Sequence, residues 1–286
     1  MTTISNPSIG IINPGAMGIS VAATVINGGF PVHWASNKRS DQSKTRAAEY
    51  DLIDVGTTAA LAQSCNILIS VCPPHAAEEV ATEVIAHGFQ GLFLDANAIS
   101  PAKAQQIGQQ MSAAGATFVD GGIIGGPAWQ PETTWLYLSG PDAAAALSYF
   151  AAGPLETEIA GPEIGQASAL KMVFAAYTKG RTALLALALA GAEALGVRTA
   201  LENQWSRYWP DFTEDTHERL RRVTAKAWRF EGEMDEIAGT FAGVDLPAGF
   251  HQAAADIYGR LAPFKDIPVL PDLETILTAL TSSRQD

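Results

Sequence analysis

Residues 8–38 constrain the fold more than any other stretch, because they predict a strand, a glycine turn, a helix and a second strand in quick succession. The apolar run 9–12 predicts the first strand, and residues 13–18 predict a sharp turn. A helix of small residues over 19–27 stops at a glycine pair, and residues 30–35 predict the second strand. This order and size are typical of one βαβ unit.

The turn is built from six residues that follow the pattern N-x-G-x-x-G: Asn13, Pro14, Gly15, Ala16, Met17 and Gly18. The usual dinucleotide-binding pattern has glycine at the first position, but asparagine also tolerates a positive φ. A pyrophosphate binds the N–H groups at a helix N-terminus and must approach Gly15 closely, while Gly18 lets the helix pack tightly on the sheet. The turn therefore predicts dinucleotide binding, with an ordinary βα turn as the alternative.

The segment after the second predicted strand distinguishes NADP from NAD. An acidic residue there bonds the ribose 2′-hydroxyl of NAD, whereas basic or small polar residues accept a 2′-phosphate. This chain has no acid in the segment, which reads Asn37, Lys38, Arg39 and Ser40. Their side chains supply charge and hydrogen bonds. NADP(H) is therefore favoured over NAD(H), and a solvated basic loop is the alternative.

Three more segments follow predicted strands and are expected at the same crevice, because ligands bind at the carboxyl ends of parallel strands. Cys72, Pro73 and Pro74 end the apolar run 66–72 and are predicted to line the cofactor. Asn97 follows the strand 92–95, and its amide can bond either the nicotinamide ribose or a substrate hydroxyl.

The third segment is rich in glycine and follows the strand 117–120. Its glycines, which include Gly125 and Gly126, allow backbone N–H groups to reach a ligand oxygen. A tight connection at the sheet edge is the alternative. Further strands over 135–138 and 156–159 complete the predicted sheet.

Strand signals nearly vanish after residue 162. The chain is therefore predicted to be α/β, with a Rossmann doubly wound sheet in residues 1–162 and an all-helical substrate and dimerisation domain in residues 163–286. Residues 164–195 predict one central helix about 45 Å long. It is apolar nearly all round, so it must be buried within the helical domain, between subunits, or both. A homodimer through the C-terminal helices is expected.

Composition excludes several classes of protein. A net charge of −12 argues against binding nucleic acid or an anionic membrane. Two cysteines, Cys65 and Cys72, make no disulfide framework or metal-type spacing, and no metal is expected. Residues 1–8 lack a basic-then-apolar signal, and the apolar segment 183–192 is shorter than a bilayer span. A soluble cytoplasmic protein is expected, with a small-molecule substrate as its partner.

Lys171 lies two turns into the predicted central helix, among apolar residues. Burial lowers the pKa of a lysine, which suits a general acid/base near neutral pH. A surface lysine that extends to solvent is the alternative, and taken alone this alternative is favoured.

The chain resembles the β-hydroxyacid dehydrogenase superfamily, to which 6-phosphogluconate dehydrogenase and 3-hydroxyisobutyrate dehydrogenase belong. Five motifs carry the resemblance, in order: residues 15–18 (GAMG), 73–74 (PP), 95–101 (DANAISP), 120–126 (DGGIIGG), and Gly165 with Lys171 six residues later. Residues 175–180 and 228–234 resemble the branch of the superfamily that has a phosphogluconate-dehydrogenase-like C-terminal domain.

The resemblance implies a role for each matched residue. Lys171 matches the catalytic lysine, which takes the hydroxyl proton in oxidation and protonates the forming alkoxide in reduction. Asn97 matches a position near the nicotinamide and the substrate, and Gly125 and Gly126 match the substrate loop. The activity implied is hydride transfer between nicotinamide and a CH–OH or C=O group.

Two positions depart from the family pattern and bear on the substrate. Ile124 stands where the family usually has serine, and Ala175, preceded by Phe174, stands where it usually has asparagine. Both changes remove hydrogen-bonding groups, so a bulkier or more apolar substrate is expected at Ile124 and Phe174. Two alternatives stay open. One is an imine reductase, although that branch commonly has Asp or Tyr in place of Lys171; the other is a redox sensor that binds NADP(H) without turnover.

Overall fold

Strands and helices alternate in the first part of the chain, and helices alone fill the second. This computed structural model describes residues 7–282. Most of the segment 1–8, from which the absence of a leader was predicted, and the last four residues of the predicted helical domain lie outside the described residues. Contacts divide the chain into Met1–Met172 and Val173–Asp286. This division falls within a helix, so the boundary expected between residues 162 and 163 stays a prediction.

The first unit contains one sheet of eight strands, in the order β3-β2-β1-β4-β5-β6-β7-β8. All neighbours are parallel except β6 and β7. The strands are β1 (Ile9–Ile12), β2 (Val32–Trp34), β3 (Ile53–Asp54), β4 (Ile67–Ser70), β5 (Leu92–Asp95), β6 (Thr117–Gly125), β7 (Thr134–Ser139) and β8 (Glu156–Gly161). The helices that lie between them are α1 (Ala16–Asn27), α2 (Asp41–Glu49), α3 (Thr58–Ser64), α4 (Ala77–Ala86), α5 (Pro101–Ala113) and α6 (Ala143–Ala146).

Apolar side chains cover both faces of this sheet. One core cluster includes Ile11 and Val21, and a second includes Leu68, Phe93 and Ile107. The two clusters bury opposite faces because successive side chains of a strand point to opposite sides. The strand order reverses between β1 and β4, which is where a doubly wound sheet opens a ligand crevice. The predicted Rossmann fold is confirmed.

Two strands differ from the sequence prediction. The segment 51–57, predicted as a connection, contains the two-residue edge strand β3. Strand β6, predicted to end at Asp120, continues to Gly125, because Gly121 and Gly122 pair with Leu138 and Tyr137 of the antiparallel β7. These two glycines therefore lie inside a strand rather than in a crevice loop.

Five further helices complete the chain: α7 (Gln166–Ala194), α8 (Arg198–Tyr208), α9 (Phe212–Ala242), α10 (Gly249–Leu261) and α11 (Leu273–Thr281). The second unit is helical, as predicted. Within it, the Tyr258 hydroxyl of α10 donates to the Lys179 carbonyl of α7 at 2.8 Å. The Lys179 ammonium pairs with Glu233 of α9 and lies 4.3 Å from the ring centroid of Phe230.

Helix α7 is apolar nearly all round, as predicted, but the chain buries only one side of it. Ala186 and Leu189 are buried, whereas Tyr177, Leu184 and Leu187 are 64%, 52% and 50% exposed. By length and composition α7 could cross a membrane, so the expectation that the apolar segment is too short does not hold for the helix as a whole. A core helix of a soluble protein passes the same test, so this is weak support for a membrane span.

Candidate functional site

The glycine turn connects the carboxyl end of β1 to the first turn of α1. Asn13 has a φ of 63°, the positive value that the sequence pattern requires of its first position. The N–H of Gly15 donates to the Asn13 carbonyl at 2.7 Å. No side chain within residues 7–282 caps the start of α1. The first N–H groups of the helix are therefore available to an anion.

Glycine suits positions 15 and 18 for different reasons. A Cβ on Gly18 would collide with the Asn13 carbonyl oxygen, so close packing requires glycine there. A Cβ on Gly15 would meet no atom within 4 Å, and a φ of −71° suits any residue. Packing within the protein therefore does not require glycine at position 15. The free space lies where a pyrophosphate must approach, so the turn fits a dinucleotide.

The segment after β2 exposes three of its four predicted ligands, Asn37, Lys38 and Ser40. Lys38 has a φ of 58°. The Ser40 hydroxyl accepts the N–H of Ser43 at 3.3 Å and so caps α2. Ser40 therefore has a structural role in addition to its predicted contact with the cofactor.

Arg39 is half-buried, unlike its neighbours. Burial lowers the pKa of its guanidinium, and the nearby Glu83 and Cys72 oppose that shift. Its Nε is buried and has no hydrogen-bond partner among the described residues. A buried cationic donor without a protein acceptor fits an anionic group, such as the 2′-phosphate of NADP.

The side chain of Asn97 ties the end of β4 to the end of β5. Its Oδ1 accepts the N–H of Cys72 at 2.5 Å, and its Nδ2 donates to the Ser70 hydroxyl at 3.1 Å. Asn97 is only 2% exposed. Both amide atoms therefore already have protein partners, and its contact with the nicotinamide ribose or the substrate stays a prediction. Beyond Cys72, Pro73 leads into a short 3-10 turn in which Pro74 is buried.

Asp95 lies at the end of β5 and is fully buried. Burial raises the pKa of its carboxyl to about 7; Asp120 on the neighbouring strand adds to the rise, and the N–H of Asn97 opposes it. That N–H donates to Oδ1 at 2.9 Å, whereas Oδ2 has no hydrogen-bond partner in the part of the chain that is described. Asp95 therefore titrates near neutral pH beside the crevice.

The end of β6 carries the three residues predicted for the substrate loop. Gly125 has a φ of 130°, and a Cβ there would lie 2.5 Å from the Thr133 carbonyl oxygen, so the hairpin itself requires glycine. A Cβ on Gly126 would meet nothing within 4 Å, which leaves room for a ligand. Ile124 is half-buried and pairs with Trp135 of β7.

Lys171 lies against β6, one turn after the start of α7. A Cβ added to Gly122 would lie 3.0 Å from the Lys171 Cβ, which shows how closely the helix passes the strand. The lysine is half-buried, which lies between the buried lysine considered from the sequence and the surface lysine that the sequence taken alone favoured. Phe174 follows on the same helix, belongs to the second unit and is 47% exposed.

The sequence assigned no role to three buried residues, Asp120, Ser139 and Ser168, of which both serine hydroxyls donate to the Asp120 carboxylate at the start of α7. The available signal was Asp120 itself, since a carboxylate inside a buried strand requires hydrogen-bond donors. Trp129 stacks on Tyr50 with ring centroids 5.3 Å apart.

Two known domain families match separate parts of the chain. The NAD binding domain of 6-phosphogluconate dehydrogenase matches residues 8–149, and a domain of unknown function, DUF1932, matches residues 192–261. None of the curated proteins compared with the sequence matches it.

Several solved structures share the fold. A conserved protein of unknown function, described as similar to 3-hydroxyacid dehydrogenases, is 27% identical, with a TM-score of 0.65 over 90% of this chain and 97% of its own. The 3-hydroxyisobutyrate dehydrogenase of Mycobacterium tuberculosis is 18% identical, with a TM-score of 0.69 over 96% and 99%. An imine reductase variant from Myxococcus stipitatus is 18% identical, with a TM-score of 0.53 over 96% and 99%. With its nicotinamide-dinucleotide-binding domain of the 6-phosphogluconate dehydrogenase type and its DUF1932 domain, the chain fits the β-hydroxyacid dehydrogenase superfamily.

Proposed function

We propose that this protein is an NADP(H)-preferring oxidoreductase acting on the CH–OH or C=O group of a β-hydroxyacid-like or bulkier apolar substrate. The observation that carries the proposal is the position of Lys171 beside Gly122 of β6. The backbone of Lys171 passes beside the strand that leads to the open Gly126, in the sheet whose β1 end holds the glycine turn. Cofactor, substrate and proton-transfer group then share one edge of the sheet.

Three parts of the first unit have defined roles in the proposed reaction. Residues 13–18 hold the pyrophosphate through backbone N–H groups, and the segment from Cys72 to Pro74 lines the crevice. The bound dinucleotide supplies the hydride acceptor for oxidation and the hydride donor for reduction. The ε-amino group of Lys171 takes the hydroxyl proton in oxidation and returns a proton to the alkoxide oxygen in reduction.

Preference for NADP(H) is supported by Arg39 and by the lack of an acid between Asn37 and Ser40. A free 2′-hydroxyl of NAD would find no carboxylate acceptor in this segment. A 2′-phosphate would instead meet the unpartnered Nε of Arg39 and the exposed side chain of Lys38.

A bulkier substrate is supported by two large apolar side chains, one in each unit of the chain. Ile124 offers a half-buried apolar surface near the end of β6. Phe174 offers a half-exposed ring three residues beyond the lysine on α7. Neither side chain donates a hydrogen bond, so a substrate there gains affinity by burying apolar area.

We also propose that the protein acts as a homodimer. In a single chain, Tyr177, Leu184 and Leu187 of α7 expose half or more of their surface. A stripe of large apolar side chains at helical spacing is typical of an interface. A second copy of the chain supplies a matching stripe by symmetry.

The proposed function is tested by cofactor titration followed by turnover. Tryptophan quenching should give micromolar NADPH binding and much weaker NADH binding. NADP⁺ reduction is then measured with L-serine, 3-hydroxyisobutyrate and the bulkier 3-hydroxy-3-phenylpropanoate, and the last is expected to be the best substrate. Lys171→Ala should lower kcat at least about a hundredfold without changing NADPH affinity, as expected for loss of a general acid/base. Lys44→Ala, on the exposed face of α2, is the matched control.

Other outcomes identify the alternatives. Preference for L-serine or 3-hydroxyisobutyrate would contradict the bulky-substrate assignment. NADPH oxidation with the cyclic imine 2-methyl-1-pyrroline, without NADP⁺ reduction by any of the hydroxy acids and without NADPH oxidation by the corresponding carbonyl compounds, would identify an imine reductase. NADPH binding without turnover of any of these compounds, with full biological function of Lys171→Ala, would identify a redox sensor.

A further inference from the structure

A buried carboxylate takes the place of a local cap at the start of α7. Asp120 lies in β6 and is 1% exposed. Its Oδ1 accepts the Ser168 hydroxyl at 2.6 Å. Its Oδ2 accepts the backbone N–H groups of Gly165 and Ser168, each at 3.0 Å, and the Ser139 hydroxyl at 2.8 Å. One carboxylate thus receives four hydrogen bonds from two segments of the chain, β7 and the start of α7.

Ser139 extends this contact by one more bond. While its hydroxyl donates to Asp120, its Oγ accepts the N–H of Ala167 at 2.9 Å. Side chains of β6 and β7 therefore satisfy the N–H groups that a helix leaves unpaired in its first turn. The negative charge of a carboxylate also interacts favourably with the positive end of the helix dipole.

Gly122 brings the same helix close to the strand. It lies two residues after Asp120 and so on the same face of β6. A Cβ at this position would lie 2.6 Å from the Ala167 carbonyl oxygen and 3.0 Å from the Lys171 Cβ. We call Asp120, Gly122, Ser139 and Ser168 the strand–helix clamp. All four are buried.

The clamp restrains the rotation of the first two turns of α7 about the helix axis, and it restrains their distance from β6. Hydrogen bonds to Asp120 fix the helix at Ser168, and contact with Gly122 limits its approach one turn later. Lys171 lies three residues after Ser168, on the side of the helix that meets the strand. The conformation of this turn therefore determines where the lysine side chain leaves the backbone.

We propose that Asp120, acting through Ser168, is a positioning residue for Lys171, and that the clamp sets the alignment of the lysine with the reacting hydroxyl. This inference rests on the proposed acid/base role of Lys171. Charge-assisted hydrogen bonds to a carboxylate are about twice as strong as neutral ones, so the clamp is stiff enough to hold one geometry. A displacement near 1 Å can cost about a hundredfold in rate, so such alignment has a measurable effect.

Ser168→Ala in the full-length protein is the main test, because it removes one bond to Asp120 and leaves the backbone N–H bond in place. Thr24→Val is the matched control, since Thr24 is also fully buried in the first unit and bonds the Ser20 carbonyl at 3.2 Å. Lysines are reductively methylated with ¹³C-formaldehyde and a cyanoborohydride reductant, and the Lys171 resonance is assigned from its loss in Lys171→Arg. Ser168→Ala should change the chemical shift and pH midpoint of this resonance, and Thr24→Val should not.

Turnover of 3-hydroxy-3-phenylpropanoate with NADP⁺ provides the second readout. Ser168→Ala should lower kcat about tenfold, with KM and NADPH affinity within about twofold of the wild-type values. Asp120→Asn should have the larger effect, because an amide Nδ2 would face the donors that now bond Oδ2. If Asp120→Asn does not fold, Ser168→Ala decides the question alone.

The results separate this inference from the proposed function. A Lys171 resonance in Ser168→Ala that matches the resonance in Thr24→Val would overturn the clamp, whatever the turnover. Full activity of Lys171→Ala would overturn the acid/base role itself. In that case a shifted Lys171 resonance in Ser168→Ala would still support the positioning of the side chain by the clamp.

Discussion

At the scale of single residues, Arg39 has the chemistry that can distinguish the two dinucleotides. Its Nε has no hydrogen-bond partner among the described residues, so a 2′-phosphate bound at this guanidinium would supply the missing acceptor. A hydrogen bond between charged partners contributes about 1.5–3 kcal/mol, or about ten- to a hundredfold in affinity. Arg39→Ala should weaken NADPH binding by that factor and NADH binding by less than about twofold, as measured by calorimetric titration.

Arg46→Ala is the control for this substitution, because Arg46 lies in the last turn of α2 and outside the predicted cofactor segment. Equal weakening of NADPH and NADH binding in Arg39→Ala would show that the guanidinium contacts a part common to both dinucleotides.

Asp95 makes the stability of the first unit depend on pH. The pKa of its carboxyl is about 7 in the folded protein, raised by burial from an ordinary value of 3.8. Between those values the folded state keeps a proton that the unfolded state releases, so stability falls as pH rises through this window and then levels off. The free energy involved is at most about 4 kcal/mol.

Asp95→Asn should remove this contribution. The asparagine oxygen can still accept the N–H of Asn97, and no charge is buried at any pH. Urea unfolding at pH 5 and pH 8 should show the variant gaining stability relative to the wild-type protein at pH 8. The exposed Asp41→Asn should show no such change, and an equal difference at both pH values would contradict the assignment.

At the scale of secondary structure elements, local signals determined most of the first unit. Strands β1 and β5 have the predicted bounds, because short apolar runs between turn residues leave few alternatives. Strand β3 was missed because two residues are too few to show a hydrophobic periodicity. Its pairing with β2 also depends on the rest of the sheet. Strand β6 was predicted too short, because glycine usually weakens a strand and the antiparallel partner β7 was not known to lie beside it.

The candidate site likewise contains parts that local sequence patterns predict and parts that they do not. The glycine turn and the segment 37–40 could be predicted, since each is a local pattern with a known geometry. The strand–helix clamp could not, because Asp120 and Ser168 are far apart in sequence and meet only after the sheet has formed. The half-exposure of Lys171 matches neither of the two alternatives that the sequence offered, because helix periodicity does not show what covers each face.

At the scale of the whole molecule, the exposed side of α7 predicts association. Leu187→Glu would place a charge on the proposed interface, and the cost of burying it should favour the monomer. Sedimentation velocity at micromolar concentration should show a dimer for the wild-type protein and a shift to the monomer for this variant. Val269→Glu, at a residue 75% exposed outside α7, should remain dimeric. A wild-type monomer, or a dimeric Leu187→Glu, would contradict the proposal.

Asn13, just before α1, and Asn27, its last residue, should undergo deamidation at different rates. Deamidation begins when the backbone nitrogen of the following residue attacks the asparagine side chain and loses its hydrogen. Asn13 precedes Pro14, which has no such hydrogen, so the ligand-binding end of the helix is protected from this reaction. Asn27 is exposed and precedes Gly28, the least hindered successor. Ageing of the protein should therefore add a negative charge at the far end of α1, where the helix dipole disfavours it by about 0.3–1 kcal/mol, and leave the glycine turn intact.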